Sequence, residues 1–189
     1  MSLVVVERSF PEPFTAEALQ GYEERGAGCL EVHGARFLYR YVGAERTRMV
    51  CLFEAPDAES VRRAQTSARI PFDRVWTARV VAYAGPAPQG EVVLVERTLP
   101  EPVDEGRLRE AAVLAAACLD RQDCRIHRSY LSIDGRRSVC IFTGPDAESV
   151  RRAQCQARLP YELAWPAALF DPRLAREPEA VALAGAVAR

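Results

Sequence analysis

One offset runs through this chain and limits what it can fold into. Val4–Pro13 (VVVERSFPEP) returns as Val93–Pro102 (VLVERTLPEP), 89 residues later. Val50–Gln65 (VCLFEAPDAESVRRAQ) returns at the same offset as Val139–Gln154 (VCIFTGPDAESVRRAQ), and 13 of these 16 positions are identical. Cys29 and Cys118, Tyr41 and Tyr130, and Trp76 and Trp165 fall on it as well. A single register across the whole unit means two copies of one fold. A solenoid needs about three or more repeats, so the reading is a duplicated domain. The copies span 1–84 and 91–170, and a linker, 85–90, punctuated by Gly and Pro, joins them. A tail, 171–189, lies outside the repeat, and its Ala-rich stretch Glu177–Ala188 suits a short helix or a frayed end.

Within each copy the hydrophobic period alternates between strand and helix. Leu3–Ser9 is rich in β-formers and reads as a strand covered on both faces. Thr15 caps a predicted helix that carries Leu19, Tyr22, Gly26 and Leu30 on one face, and Asp104 does the same in the second copy for Leu108, Ala111, Ala115 and Cys118. Arg36–Val42 alternates as a strand, Gly43–Arg46 turns, and Arg48–Glu54 forms the next strand. Asp57 caps a helix over Ala58–Ala68 with a thin stripe of small residues, which Ile70-Pro71 ends. Val75–Tyr83 closes the unit as a strand with Trp76, Ala78 and Val80 on one face. The order β-α-β-β-α-β is the ferredoxin-like split unit, an α+β arrangement with both helices on one sheet face. The bare face needs a cover, and the other copy supplies it. The expected architecture is therefore a fused pseudo-dimer, with two sheets forming a sandwich or an α+β barrel about a pseudo-twofold axis.

Composition excludes several classes of function. Lys and Arg number 25 and Asp and Glu 26, for a net charge of −1, so the chain has no general bias toward nucleic acid or an anionic membrane. The apolar run Leu3–Val6 is cut by Glu7 and Arg8, and Val181–Ala188 is far shorter than the roughly 20 residues that span a bilayer. A cytoplasmic protein is expected, with no nucleic-acid or membrane partner. The six cysteines contain no CxxC pair and read as free, mostly buried thiols.

The segments VVVERSFPEP, VCLFEAPDAESVRRA and RIPFDRV, with VLVERTLPEP, VCIFTGPDAESVRRA and RLPYELA in the second copy, resemble a small bacterial family catalogued as a domain of unknown function. Some of its members are described as nickel-binding. The resemblance covers about 80 residues of each copy. It implies short ferredoxin-like units that pair into α+β barrels. Many members carry one histidine before the Ser-Tyr strand and another inside the second helix. Here those positions hold Tyr39 and Arg128, then Ala64 and Ala153, none of which makes a nickel ligand set. No metal and no cofactor are expected.

The remaining candidates are weighed by residue type. His33 and His127 are the two histidines and are not repeat-equivalent. Cys51 and Cys140 share a mid-strand position among apolar neighbours, where packing or pocket lining is the expected role. Glu7 and Glu96 alternate with Arg8 and Arg97 at the ends of the first strands, so one of each pair faces the covered side and needs a partner or a wet cavity. Tyr41, Tyr130, Trp76 and Trp165 recur in equivalent strands, either filling the barrel or edging a ligand cleft. The sequence contains no Gly-rich phosphate loop, GxSxG elbow or HExxH pair. The leading reading is a non-catalytic module that binds a small molecule between its sheets. Its site is built from Tyr41, Tyr130, Trp76, Trp165, Glu7, Glu96, Cys51, Cys140 and His127. The alternatives are a nickel-like metal-binding protein and a dimeric α/β-barrel enzyme of monooxygenase or isomerase type, with His127 or a Glu of raised pKa as its acid or base.

Overall fold

The structure is a computed structural model and describes residues 1–82 and 91–172. The expected linker, the end of the first copy at Tyr83 and Ala84, and all of the tail beyond Pro172 lie outside the described residues.

Each copy contributes four strands and two helices. The first contains β1 (Ser2–Ser9), α1 (Ala16–Val32), β2 (Arg36–Gly43), β3 (Arg48–Ala55), α2 (Ala58–Ser67) and β4 (Arg74–Ala82). The second contains β5 (Glu91–Thr98), α3 (Glu105–Arg121), β6 (Arg125–Ser132), β7 (Arg137–Thr143), α4 (Ala147–Gln156) and β8 (Leu163–Phe170). The expected caps hold. Thr15 accepts from Ala18 N at 3.2 Å, and Asp57, Asp104 and Asp146 each accept from the backbone N–H three residues on.

Of the two packings open to a pair of sheets, the chain adopts the barrel. Within a copy the strands run β4-β1-β3-β2 and β8-β5-β7-β6. Edge strand β2 then pairs with β8, and β4 with β6, closing one eight-stranded ring. Closure satisfies the backbone groups that two open sheets would leave unpaired at their edges.

Alternation along the strands sorts side chains into three clusters. The ring interior holds Val5, Tyr41, Val50, Leu52, Leu94, Tyr130, Val139, Ile141 and Trp165, which pack as one hydrophobic cluster. The opposite face of each half packs under its own helices. Val4, Val6, Cys51, Phe53 and Val61 do so in the first copy, and Val93, Val95, Cys140, Phe142 and Val150 in the second. Small residues at Ala64 and Ala153 let α2 and α4 lie close to the sheet, and both are fully buried.

Two equivalent bulges shift the register, between Phe37 and Tyr39 in β2 and between Ile126 and Arg128 in β6. Leu38 and His127 are the extra residues. Tyr39 and Arg128 stay inward beside Tyr41 and Tyr130, and the bulges turn Phe37 and Ile126 to the helix side.

The turn before β7 has a left-handed residue, Gly135, at φ 70°, and its counterpart in the first copy is Arg46, at φ 54°. The positions differ in what lies over them. A Cβ on Gly135 would sit 2.4 Å from the carbonyl oxygen of Val103, whose own N–H donates to the Gly135 carbonyl at 2.9 Å. Gly135→Ala combines left-handed strain with a backbone clash. It is expected to cost about 2 kcal/mol or more, whereas Arg46→Gly costs little. Urea unfolding midpoints of the two variants check the contrast.

Candidate functional site

Arg137 opens β7 in phase with the inward residues Val139 and Ile141, so its side chain points into one end of the ring. There it meets Glu7 from β1 and Glu96 from β5. All three are nearly buried, at 6%, 4% and 4% exposure. Arg137 donates through Nε to Glu7 Oε1 at 2.8 Å and through one terminal nitrogen to Glu7 Oε2 and to Glu96 Oε2, the latter at 2.6 Å. Its other terminal nitrogen reaches Glu162 and, at 2.9 Å, Thr98 Oγ1. The free carboxylate lone pairs go to the two repeated tryptophans. Trp76 Nε1 donates to Glu7 Oε1, and Trp165 Nε1 to Glu96 Oε1, each at 2.7 Å.

The electrostatics follow from this geometry. Burial pushes the Glu96 carboxyl up, the negative charge of Glu7 adds to the push, and Trp165 and Arg137 oppose it. Burial works against the Arg137 charge, but the hydrogen bonds and charges of Glu7, Glu162 and Glu96 outweigh it and raise its pKa. The Thr98 hydroxyl, and then Arg137, hold Glu162 below the usual carboxylate range.

Glu7 and Glu96 are repeat-equivalent, so a group that grips both lies near the pseudo-twofold axis. That place accommodates one guanidinium. Arg48, the equivalent of Arg137, is half-buried, and its side chain makes no hydrogen bond or ion pair among the described residues, although its charge helps to hold the Glu96 carboxyl down. It lines a polar cavity of about 410 Å³ at this end of the ring, together with Asp73, Arg74, Glu162 and the two glutamates.

The other sequence candidates fall elsewhere. Tyr41 and Tyr130 sit deeper in the ring, 2% and 0% exposed. Tyr130 Oη lies 3.0 Å from Tyr39 Oη, Arg128 donates to Tyr39 Oη at 3.4 Å, and the Tyr39 and Tyr41 rings meet edge to face. Burial is the main cause that pushes Tyr41 up to about 12 and Tyr130 well above the ordinary tyrosine range. Cys51 and Cys140 face the helices, on the other side of the sheet from Glu7, Glu96, Trp165, Tyr41 and Tyr130. His127 is a bulge residue of β6, beside the end of β7 opposite Arg137, with Nε2 2.7 Å from Thr143 Oγ1, and burial lowers its pKa.

Arg48 and Arg137 did not emerge from the sequence as site residues, although a signal was present. They are a repeated charge opening a strand, in phase with apolar residues that point inward.

A family model described as "Nickel responsive protein SCO4226-like" matches this chain twice, over residues 5–77 and 94–165. The chain belongs to the SCO4226-like family. Each copy is one SCO4226-like unit, as the sequence resemblance implied, and the two complete a single barrel. No curated protein matches the chain. Among solved structures, SCO4226 from Streptomyces coelicolor A3(2) is 18% identical, aligns over 39% of this chain and 91% of its own, and has a TM-score of 0.37. Putative chlorite dismutase TA0507 is 12% identical, over 90% and 94% of the two chains, with a TM-score of 0.49. A heme-binding protein from Thermus thermophilus is 11% identical, over 93% and 94%, with a TM-score of 0.46.

The nickel in the SCO4226-like description has no ligand set here. Among the described residues no group of three or more His, Cys, Asp or Glu side chains is placed to hold a metal ion. Glu7 and Glu96 are already taken by Arg137 and the tryptophans. Tyr39 and Arg128, at the family's first histidine position, bond to each other. No helix among the described residues is long and apolar enough to cross a membrane.

Two outcomes are expected. Arg137→Leu strips the shared cation from two buried carboxylates and costs about 3–5 kcal/mol near neutrality. Loss of the cation removes what opposes the upward push on the Glu96 carboxyl, so the contribution of Glu96 is present at low pH and lost as pH rises through its folded-state value. The deficit relative to wild type is therefore larger at pH 7 than at pH 5, which urea unfolding at the two pH values measures. In ultraviolet titration, Tyr41 stays protonated until about pH 12 in the folded protein. Its raised pKa stabilises the fold below the ordinary tyrosine value of about 10, and that contribution is lost as pH climbs through the folded-state value.

Proposed function

We infer that the protein is a small-molecule-binding module whose site is the polar cavity at the end of the barrel, and that the molecule bound there carries a carboxylate. The observation that carries this reading is Arg48. Its twin, Arg137, spends its donors on Glu7, Glu96 and Glu162. Arg48 has the same chemistry and the same place in its copy, lines the cavity, and makes no hydrogen bond or ion pair among the described residues, its charge reaching Glu96 only at longer range. A guanidinium fork matches a carboxylate in two parallel hydrogen bonds. Arg74 contributes a second positive charge, held only loosely by Glu7 at 3.5 Å and Glu162 at 3.7 Å. Asp73 and Glu162 supply acceptors for hydroxyl or amine groups on the same ligand.

In this reading the buried glutamates and tryptophans form the floor of the site and fix its shape. Glu96 is not a proton donor to the ligand, because Trp165 and Arg137 occupy its oxygens. His127, on β6 beside Thr143, lies too far from the cavity to take part. The tyrosine cluster fills the ring behind the floor.

Titration calorimetry with acetate, malonate, succinate and a hydroxy acid such as malate tests the reading. At least one of the diacids is expected to bind more tightly than acetate. Arg48→Ala is expected to weaken that binding about tenfold or more, since a hydrogen bond to a charged group contributes about 1.5–3 kcal/mol. The reading is wrong if none of the four binds, or if Arg48→Ala binds them as wild type does.

A further inference from the structure

A buried arginine ordinarily faces a carboxylate, because an uncompensated cation in an apolar surround is costly. Arg8 and Arg97 depart from this pattern, and they do so at equivalent places in the two copies. Each points from the first strand of its copy toward the helices, away from the ring interior. Arg8 is 6% exposed and Arg97 7%. Arg8 donates to Gln65 Oε1 at 2.7 Å and to the Pro71 carbonyl at 3.3 Å. Arg97 donates to Gln154 Oε1 at 2.5 Å, to the Pro160 carbonyl at 3.0 Å and to Cys140 Sγ at 3.2 Å. Neither makes an ion pair among the described residues. Burial is the main cause that lowers the pKa of Arg8; the positive charge of Arg40 adds to it, and Asp73 opposes it without forming an ion pair.

Each of these arginines lines a cavity between helix and sheet. The cavity beside Arg8 has a volume of about 610 Å³, and the one beside Arg97 about 500 Å³. Both volumes fall in the range of about 300–1,000 Å³ usual for small-molecule pockets. The walls are mainly apolar: Leu19, Leu30 and Phe53 in the first copy, and Leu108, Leu119 and Phe142 in the second. A further donor waits in each. Gln154 gives its oxygen to Arg97 and leaves Nε2 buried without a partner, and Arg40 in the first cavity has Nε buried without a partner. Arg40 otherwise pairs with Glu23, so Arg8 in the first cavity and Arg97 in the second are the buried cations without an ion pair among the described residues.

We propose that each helix–sheet cavity binds one amphipathic carboxylic acid, its apolar body between helix and sheet and its carboxylate on Arg8 or Arg97. One buried guanidinium without an ion pair at each site matches a monoanion, whereas a phosphate dianion would bring more charge than that one group answers. The guanidinium and the neighbouring amide offer donors on the geometry of a carboxylate. Apolar walls demand an alkyl or aryl body in place of the small polar acid assigned to Arg48. Cys51 and Cys140 line the two cavities, and this accounts for the repeated thiol.

The test is titration calorimetry of the full chain with decanoate and with uncharged decanol. Decanoate is expected to bind at two equivalents per chain, and decanol at least tenfold more weakly. Arg97→Met and Arg8→Met are each expected to remove one equivalent. Ala111→Trp, which fills the second cavity without altering charge, also removes one. Arg48→Ala leaves decanoate binding intact, so this proposal and the barrel-end site fail independently. Equal binding of decanol, absence of decanoate binding, or two equivalents retained in both Ala111→Trp and the arginine variants would overturn the proposal. Should an arginine variant not fold, the decanoate–decanol comparison and Ala111→Trp decide the matter.

Discussion

A single guanidinium shared by two carboxylates joins the halves of this barrel. Glu7 belongs to one copy, Glu96 and Arg137 to the other, and none of the three is solvated enough to do without its partners. A buried ion pair adds little net stability compared with an apolar replacement, but removing one member is costly. Such a group acts as a register pin. It fixes how β1 and β5 face each other across the ring, and with them the two tryptophans that cap the carboxylates. It also decides which of two equivalent arginines lies on the axis and which is left over. The asymmetry of the barrel end, and the free fork of Arg48, follow from that choice.

Most of the fold was legible in the residues. The offset of 89 exposed the duplication, the Thr and Asp caps located the helices, and alternation separated Glu7 from Arg8. Two things were not legible, each for a physical reason. Whether the bare sheet faces would stack as a sandwich or curl into a ring depends on which edges pair. The pairing of β2 with β8 and β4 with β6 rests on backbone groups that every residue carries. The partner of Glu7 is Arg137, 130 residues away, and no local spacing marks that contact. The bulges hid something as well. A period of two carried back from Tyr41 and Tyr130 puts Phe37 and Ile126 in the interior with Tyr39 and Arg128, and only the extra residue turns them to the helix side.

The candidate site divided for a similar reason. Glu, Trp, Tyr and Cys all recur at the same offset, which made them look like one constellation. Repetition shows that a residue is held in both copies, not that it shares a face with the others. Cys51 lies between Val50 and Leu52, which point into the ring, so it must point to the helices with Arg8 and Gln65. The chain therefore has two chemistries on two sides of one sheet. At the Glu7 end of the ring, carboxylates and guanidiniums answer one another, while Arg128, deeper in, is met by tyrosine hydroxyls. On the helix side, Arg8 and Arg97 are answered only by amides, carbonyls and a thiol.

Closure of the ring has a consequence for motion. Each of the eight strands has a neighbour on both sides, so no strand can peel away without breaking two ladders, and neither copy can depart without breaking both seams. Fraying, the usual low-energy exit for a sheet, is denied to this protein. Its amide protons in the strand centres should exchange with solvent together, at the rate of whole-molecule opening. Two domains by descent would then melt as one.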